Sequence, residues 1–483
     1  MTKSDWLITA TPPTPNGDLH VGHLSGPYLA ADIFKRARMA LGDDAVYVSY
    51  GDDNQSYVLT TAQRLKNDPI ELMDAANADI QRTLGAFQIA IDEYARPDED
   101  HNRAVGNVIR QLVNQNLIIE KTVDELCDSQ TLTPLYEAFV SGYCHICFLV
   151  TKGGICEACG HPNDPINLSC QSGTAGGNEG AFVRRPGKRL VLPIEHYREQ
   201  IVEFYQKKRG VWRPHLIELV DELLRQPLAD YPISHPSFWG IPIGLPGWSG
   251  HVVNVWAEMG IGLLHLLKRY RCDDQMRAAR YVQFLGYDNS YFFAIVHPVL
   301  QFAVERAGIA DRKLSEFIFT NEFCNLDNQK FSTSQAHAIW GRDLLEHLST
   351  DEARFYLCLH SPELAESNFE LSHAVQFVEQ NIREPINNLR AHDQQAGVSS
   401  PKPMTFDPTT KIIRDRICFF SDPKRFSPSK IAKILLNFLT FLDVHRHGLS
   451  HADFRIQYSF LADMLETFYF SPLSERRPHA ESI

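Results

Sequence analysis

Two histidines three residues apart, His20 and His23, stand in the run Pro15-Asn16-Gly17-Asp18-Leu19-His20-Val21-Gly22-His23, just after a short apolar segment. An imidazole can donate a hydrogen bond to a phosphate oxygen, and a spacing of three brings both rings to one side of a helix. If the run opens a helix, its free N–H groups and its dipole favour an anion, and Gly22 lets a nucleotide approach the backbone closely. The chemistry indicated is stabilisation of charge that grows on a phosphoryl group. Taken alone, HxGH equally describes a surface helix that carries two histidines, or half of a metal site.

A second group is Cys144-His145-Ile146-Cys147 and Cys156-Glu157-Ala158-Cys159, two CxxC pairs separated by eight residues. Each pair presents two thiolates to one tetrahedral ion, and Gly153, Gly154 and Gly160 supply the tight turns around them. A redox dithiol is the alternative. With Cys144, Cys147, Cys156 and Cys159 filling all four positions, no ligand site stays open for catalysis, so the zinc is structural. The other cysteines are scattered through apolar segments, which fits reduced thiols in the cytoplasm rather than a disulfide scaffold.

These groups need elements to hold them. Residues 6–10 and 45–50 read as buried strands, and the apolar spacing over 24–41 is helical, with Gly42 as its stop. This is the strand-helix-strand start of a parallel α/β sheet, whose ligands sit at the carboxyl ends of the strands. From 113 to 250 the alternation gives way to short segments rich in Cys, Gly and Pro, an insertion. It returns with a strand at 281–286, a helix at 290–306 and a strand at 316–320, so the sheet is interrupted in sequence and continuous in space. After Trp340 the pattern is helical, apart from a linker at 395–410, and 474–483 read as disordered. A length of 483 residues suggests two or three domains, and a net charge of −12 argues against coating nucleic acid by bulk electrostatics. No run has signal-peptide or membrane-spanning character, which predicts a cytoplasmic protein without a membrane partner.

The run TPPTPNGDLHVGH resembles the HIGH motif of class I aminoacyl-tRNA synthetases, and its surroundings are similar to methionyl-tRNA synthetase through most of the first 390 residues. The resemblance implies a Rossmann-type catalytic domain in two halves, 1–112 and 251–342, split by a connective insertion with a zinc knuckle, 113–250, and followed by a helical domain, 343–483. It implies that His20 and His23 contact ATP, used with Mg2+, while an amino-acid carboxylate attacks the α-phosphorus, with Asn16, Gly17 and Gly22 in the ATP site. Lys330-Phe331-Ser332-Thr333-Ser334 resembles the KMSKS loop, which makes Lys330 catalytic and gives Ser332 and Ser334 to ATP. Thr333 replaces the second lysine of that loop, and one lost charge contact of this kind costs on the order of 3 kcal/mol in the transition state. Phe284-Leu285-Gly286-Tyr287-Asp288-Asn289 resembles FxGKD, with Gly286 and Asp288 on the adenosine side and Tyr287 in place of the lysine.

For the amino acid, the resemblance implies that Asp53 holds the α-ammonium, although a strand-end carboxylate can also cap the next helix. Trp256 walls the pocket, with a core tryptophan as the alternative. Pro12, Thr14, Gly260, Leu263, Asn289 and Phe293 stand where the methionine pattern has Leu, Tyr, Pro, Tyr, Ile and His. An amide left unpaired against a thioether costs about 1 to 3 kcal/mol, so the preferred substrate is expected not to be methionine. No tryptophan follows Trp340 to stack on an anticodon base. The basic runs at 184–189 and 207–209 read as solvated faces. Three readings follow: adenylation with transfer to a small-molecule or protein acceptor, ligation to tRNA, or a binding module that keeps the fold. Similar enzymes form hydrazine natural products by acylating a hydroxylamine beside a cupin partner, which here would be a separate chain.

Overall fold

The computed structural model describes residues 4–173, 182–331, 337–395 and 407–470, without the side chain of Asp273. Five parallel strands make the central sheet: β1 (Asp5–Ala10), β2 (Asp44–Tyr50), β3 (Glu93–Ala95), β4 (Arg280–Gly286) and β5 (Phe317–Asn321), in the order β5-β4-β1-β2-β3. The order reverses between β1 and β4, which pair in register from Trp6 opposite Arg280 to Ala10 opposite Phe284. Alternation sends Trp6, Ile8 and Ala10 into one core and Leu7 into a second, so the strand is buried on both faces, as a helix-covered parallel sheet requires.

The first core is closed by helix Leu29–Ala40 and by the C-terminal helices, among them Thr350–Leu359, Pro428–His445 and His451–Phe468. The second is closed by helices Glu99–Asn114, Val255–Leu267 and His297–Arg306. Between the two runs of sheet strands the chain builds a separate antiparallel pair, Ile119–Asp128 with Phe182–Leu192, and the short strands that carry the cysteines. Among the described residues no helix is long and apolar enough to cross a membrane.

The helix expected at 24–41 begins at Val21 and passes through a widened turn, Leu24–Tyr28, because Pro27 cannot donate to a regular ladder. The helix expected at 290–306 has a similar widened turn, Phe292–Val296, just before Pro298. Helix Pro408–Ser421 starts inside the expected linker, with Pro408 at its first turn and Asp407 as its cap. Residues 396–406 and 474–483 lie outside the described residues.

One side chain ties the C-terminal helices to the sheet. Arg354, fully buried, donates to Asp32 at 2.6 Å, to the carbonyls of Phe87 at 2.7 Å and Phe468 at 3.0 Å, and to that of Tyr469 at 3.1 Å. Arg354→Met removes the cation and leaves a buried carboxylate and several carbonyls without it, a loss of about 3 to 5 kcal/mol. Urea unfolding checks this; a midpoint unchanged from the parent would show that the pair is dispensable.

Candidate active site

The turn after β1 ends in a cap built from the two histidines. His20 Nδ1 accepts from the His23 N–H at 3.3 Å, and His23 Nδ1 accepts from the His20 N–H at 3.3 Å. The rings stack with centroids 3.6 Å apart. Each Nδ1 is thus an acceptor, which leaves the proton of a neutral ring on Nε2. Burial, helped by its neighbour His23, holds His20 well below the usual imidazole range. His23 opens onto the cleft, yet the protein crowds it from behind and lowers its pKa to about 4. Both rings are therefore neutral N–H donors at pH 7. Gly22 is required by close approach: a Cβ there would sit 3.1 Å from the His20 ring and 3.2 Å from Phe331.

Residues far away in sequence clamp this turn. Asp18 accepts from Thr83 at 2.7 Å and from Arg342 at 3.1 Å, and Arg342 also pairs with Asp79. The backbone of 339–341 runs alongside, with Val21 N–H donating to the Ile339 carbonyl and Gly341 N–H to that of Leu19, both near 2.9 Å or shorter. Trp340 covers Gly17, and Asn16 donates its N–H to the Thr14 carbonyl. Sequence reasoning passes over Asp18, Thr83, Trp340 and Arg342; the Asp18 carboxylate inside the motif is the one local signal of the clamp.

At the end of β2, the two aspartates differ. Asp53 Oδ1 accepts from Asn77 at 2.8 Å, and its Oδ2 from Arg96 Nε and Nη2 at 2.9 and 2.8 Å. It does not cap the following helix, whose cap is Gln55, and both of its oxygens already accept hydrogen bonds. Asp52 is the less committed carboxylate. Its Oδ2 accepts from Thr14 and Gln55, both at 3.3 Å, and Oδ1 has no partner among the described residues. Burial and the nearby carboxylates Glu258 and Glu137 push Asp52 well above the ordinary range.

Trp256 is half-buried and stacks on Phe292 at 3.8 Å, and Asn254 caps its helix. Its carbonyl accepts from His297 Nε2 at 2.9 Å. The His297 ring fills the space at Gly260, where a Cβ would lie 2.8 Å from it, and it meets Phe293 at 4.6 Å. The imidazole missing at Phe293 thus stands one helical turn later, a position that motif comparison overlooks. Pro12 and Leu263 are buried. Asn289 donates to Asp288 Oδ1 at 2.7 Å, so its amide N–H is paired, where the sequence suggested an unpaired amide. Asp288, next to Gly286 at the end of β4, is raised to about 6 by burial and by Glu157, with Lys330 opposing. Tyr287 stacks on His215 at 3.6 Å, which accounts for an aromatic where a lysine was expected.

Lys330 pairs with Glu157, inside the second CxxC, and lies 4.4 Å above the Phe323 ring. It thus faces the cysteine centre, while Phe331 stacks on His20 at 4.6 Å. Ser332, Thr333 and Ser334 lie outside the described residues. The four cysteine sulfurs lie within 4.8 Å of one another, with Cys144 to Cys159 at 3.8 Å and Cys147 to Cys156 at 3.6 Å. Sulfurs tetrahedrally placed around zinc at its usual bond length are about 3.8 Å apart. The donors fit the ion, and Ile146 N–H and Asn163 Nδ2 donate to Cys144 Sγ.

A parallel sheet with this strand order, with paired histidines at its switch point, defines a Rossmann-type core. The family described as tRNA synthetases class I (M) matches residues 6–392. The chain belongs to that family, as a methionyl-tRNA synthetase-like member. It is 27% identical over 396 residues to the methionine--tRNA ligase of Picrophilus torridus, covering 79% of this chain and 56% of that protein. For the methionine--tRNA ligase of Thermococcus onnurineus the identity is 28%, over 80% and 54%. The chain therefore spans about half the length of these relatives. The fold is similar to Mycobacterium tuberculosis methionyl-tRNA synthetase in complex with methionyl-adenylate, with a TM-score of 0.73 at 17% identity, covering 96% of this chain and 90% of that one.

Two outcomes follow. In 15N imidazole spectra, His20 and His23 should appear as Nε2–H tautomers at pH 7, with His23 protonating near pH 4. Because its folded pKa lies below the unfolded one, the stability contributed by His23 is present above about pH 6.5 and is lost as pH falls toward 4. A signal from Nδ1–H would overturn the assignment. The protein should also bind one zinc, and Cys144→Ser should release it and speed hydrogen exchange in the surrounding segment. Full metal content in that variant would remove Cys144 from the ligand set.

Proposed function

We propose that the chain activates an amino acid with ATP as an aminoacyl-adenylate. The observation that carries this is the neutral histidine pair, each Nδ1 held by backbone so that each Nε2–H is available at the start of a helix, at the sheet's switch point. A substrate carboxylate oxygen attacks the α-phosphorus, the bond to the bridging oxygen breaks, and pyrophosphate leaves. The two Nε2–H groups donate to the α-phosphoryl oxygens as their charge grows, and their fixed geometry makes them effective. Asn16, Gly17, Gly22, Gly286, Asp288, Ser332 and Ser334 form the ATP side, with Mg2+ on the phosphates. Lys330 exchanges Glu157 for the pyrophosphate, with no second loop lysine because Thr333 stands there. Zinc holds the insertion and takes no part in the reaction. The catalytic halves are 1–112 and 251–342, with 113–250 as the insertion and 343–483 as the helical domain, in a cytoplasmic enzyme.

The amino acid lies against Pro12, Thr14, Trp256, Gly260, Asn289 and Phe293, with its ammonium at the Asp52–Asp53 strand end. Asp53 keeps a further lone pair on Oδ1, and Asp52 Oδ1 has no partner among the described residues, so both offer acceptors there. The changed ring positions, Phe293 with His297 behind Gly260, support a substrate other than methionine.

The acceptor is a small molecule, for which a hydroxylamine, a separate cupin partner and a hydrazine product are the finer reading. What supports it over tRNA is the state of the basic runs, in which Lys188 pairs with Glu120, Arg189 with Glu125 and Asp164, Lys207 with Glu203, and Arg209 with Asp221, so that Arg184, Arg185 and Lys208 are the cations without a carboxylate partner among the described residues. The second reading, methionine and tRNA, draws on the relatives, which are methionine--tRNA ligases.

Amino-acid-dependent ATP–pyrophosphate exchange, run over the standard amino acids and polar analogues, tests this. Exchange with a non-methionine substrate is expected, with His20→Ala and His23→Ala each lowering it by about 100-fold or more. Exchange with methionine alone would favour tRNA ligation, and none at all would leave a binding module.

A further inference from the structure

A cavity of about 580 Å³ lies between the cysteine-bearing insertion and the catalytic core. It is of small-molecule size, and none of the residues expected to bind ATP or the amino acid lines it. One wall, Asn254 and Tyr291, belongs to the core; the other comes from the insertion and includes Glu137. Asn254 also caps the helix of Trp256, so the cavity backs directly onto the amino-acid pocket.

Glu137 is the group shared by the two spaces. Its Oε2 accepts from Ser56 Oγ at 3.0 Å, and its carboxyl also accepts from the Trp256 indole. Its backbone has φ 39°, a left-handed conformation that costs a non-glycine residue energy and persists only where surroundings impose it. Packing supplies that constraint, because Gly153 and Gly154 close on Glu137 from the insertion. Glu137 is thus a buried carboxylate, held in a strained position, between the wall of one substrate site and an unassigned cavity.

We propose that this cavity binds the acceptor of the acyl group and that Glu137 is the general base for its transfer. The inference rests on the adenylation reading and extends it to the second half-reaction. In the step, Glu137 takes the proton of the acceptor hydroxyl, whose oxygen lone pair forms the new bond to the acyl carbon. The bond from that carbon to the phosphate oxygen breaks, and its electron pair leaves on AMP. The lining can take a small acceptor that also carries an ammonium: Asp164 is paired with Arg189 and Asp230 with Lys121, which leaves Glu137 and Glu222 against Arg225.

Burial raises Glu137 to about 7, where a base is most useful. The titratable groups that face it are Asp52, Tyr57, Tyr136 and Tyr231; burial raises all four, so none of the tyrosines charges near pH 7.

The test mixes the ATP- and amino-acid-loaded protein with ethanolamine or N-methylhydroxylamine, and compares AMP release with pyrophosphate exchange. In the parent, transfer should rise with pH through about 7. In Glu137→Gln the ratio of transfer to exchange should fall by about 100-fold and lose that rise. Ala229→Trp, at a residue lining the cavity, should raise the acceptor concentration needed for half-saturation. A ratio within about threefold of the parent's in Glu137→Gln, or a parent that exchanges but transfers to neither probe, overturns the proposal. Absence of exchange overturns adenylation itself, so the two failures are distinguishable.

Discussion

The site depends on one pairing, that of β1 with β4. Five parallel Cα partners, from Trp6 and Arg280 to Ala10 and Phe284, join segments that lie far apart in the chain. A one-residue slip would turn Trp6, Ile8 and Ala10 out of their core, so the apolar pattern enforces the register. Register in turn fixes chemistry. The histidine turn leaves the end of β1 as Asp288 leaves the end of β4, and at that reversal two loops diverge to leave a crevice. Thr11 N–H, donating to the Phe284 carbonyl at 2.9 Å, carries the pairing one residue past the strand toward the site.

The insertion can occupy so much chain because the sheet closes across it. Its antiparallel pair belongs to a sheet of its own, and the cysteine segments beside it reach back to the core. Tyr287, immediately after β4, stacks on His215 and donates to the Cys159 carbonyl at 3.5 Å, while Lys330 meets Glu157. A metal held by the four cysteines would therefore act on Lys330 through geometry. Whatever shapes the second CxxC also sets where Glu157 and the Cys159 carbonyl stand.

Much of this is legible in the sequence, for a physical reason. The histidine turn and the cysteine pairs are local patterns of rare residue types, and strands buried on both faces read as continuous apolar runs. What is not legible depends on distance in the chain. Asp18 in the motif looks like any loop carboxylate until Arg342 and Thr83 converge on it. Asp53 has the right position for an ammonium, but only the fold brings Arg96 and Asn77 to its oxygens. Asn289 looks unpaired in sequence although its partner is the next residue, because whether Asp288 turns back on it is a matter of backbone path.

Glu137 shows the same limit from the other side. In sequence it is one glutamate in an irregular stretch, with no periodicity or spacing to mark it. Its significance comes from desolvation, since a carboxylate exposed to water has no reason to hold a proton near neutrality, whereas one enclosed by Ser56, Trp256 and the insertion does. Enclosure needs both the core, which supplies Ser56 and Trp256, and the insertion, which supplies Glu137 and the glycines against it. A group poised to move a proton is then a property of the joint between two parts of the fold.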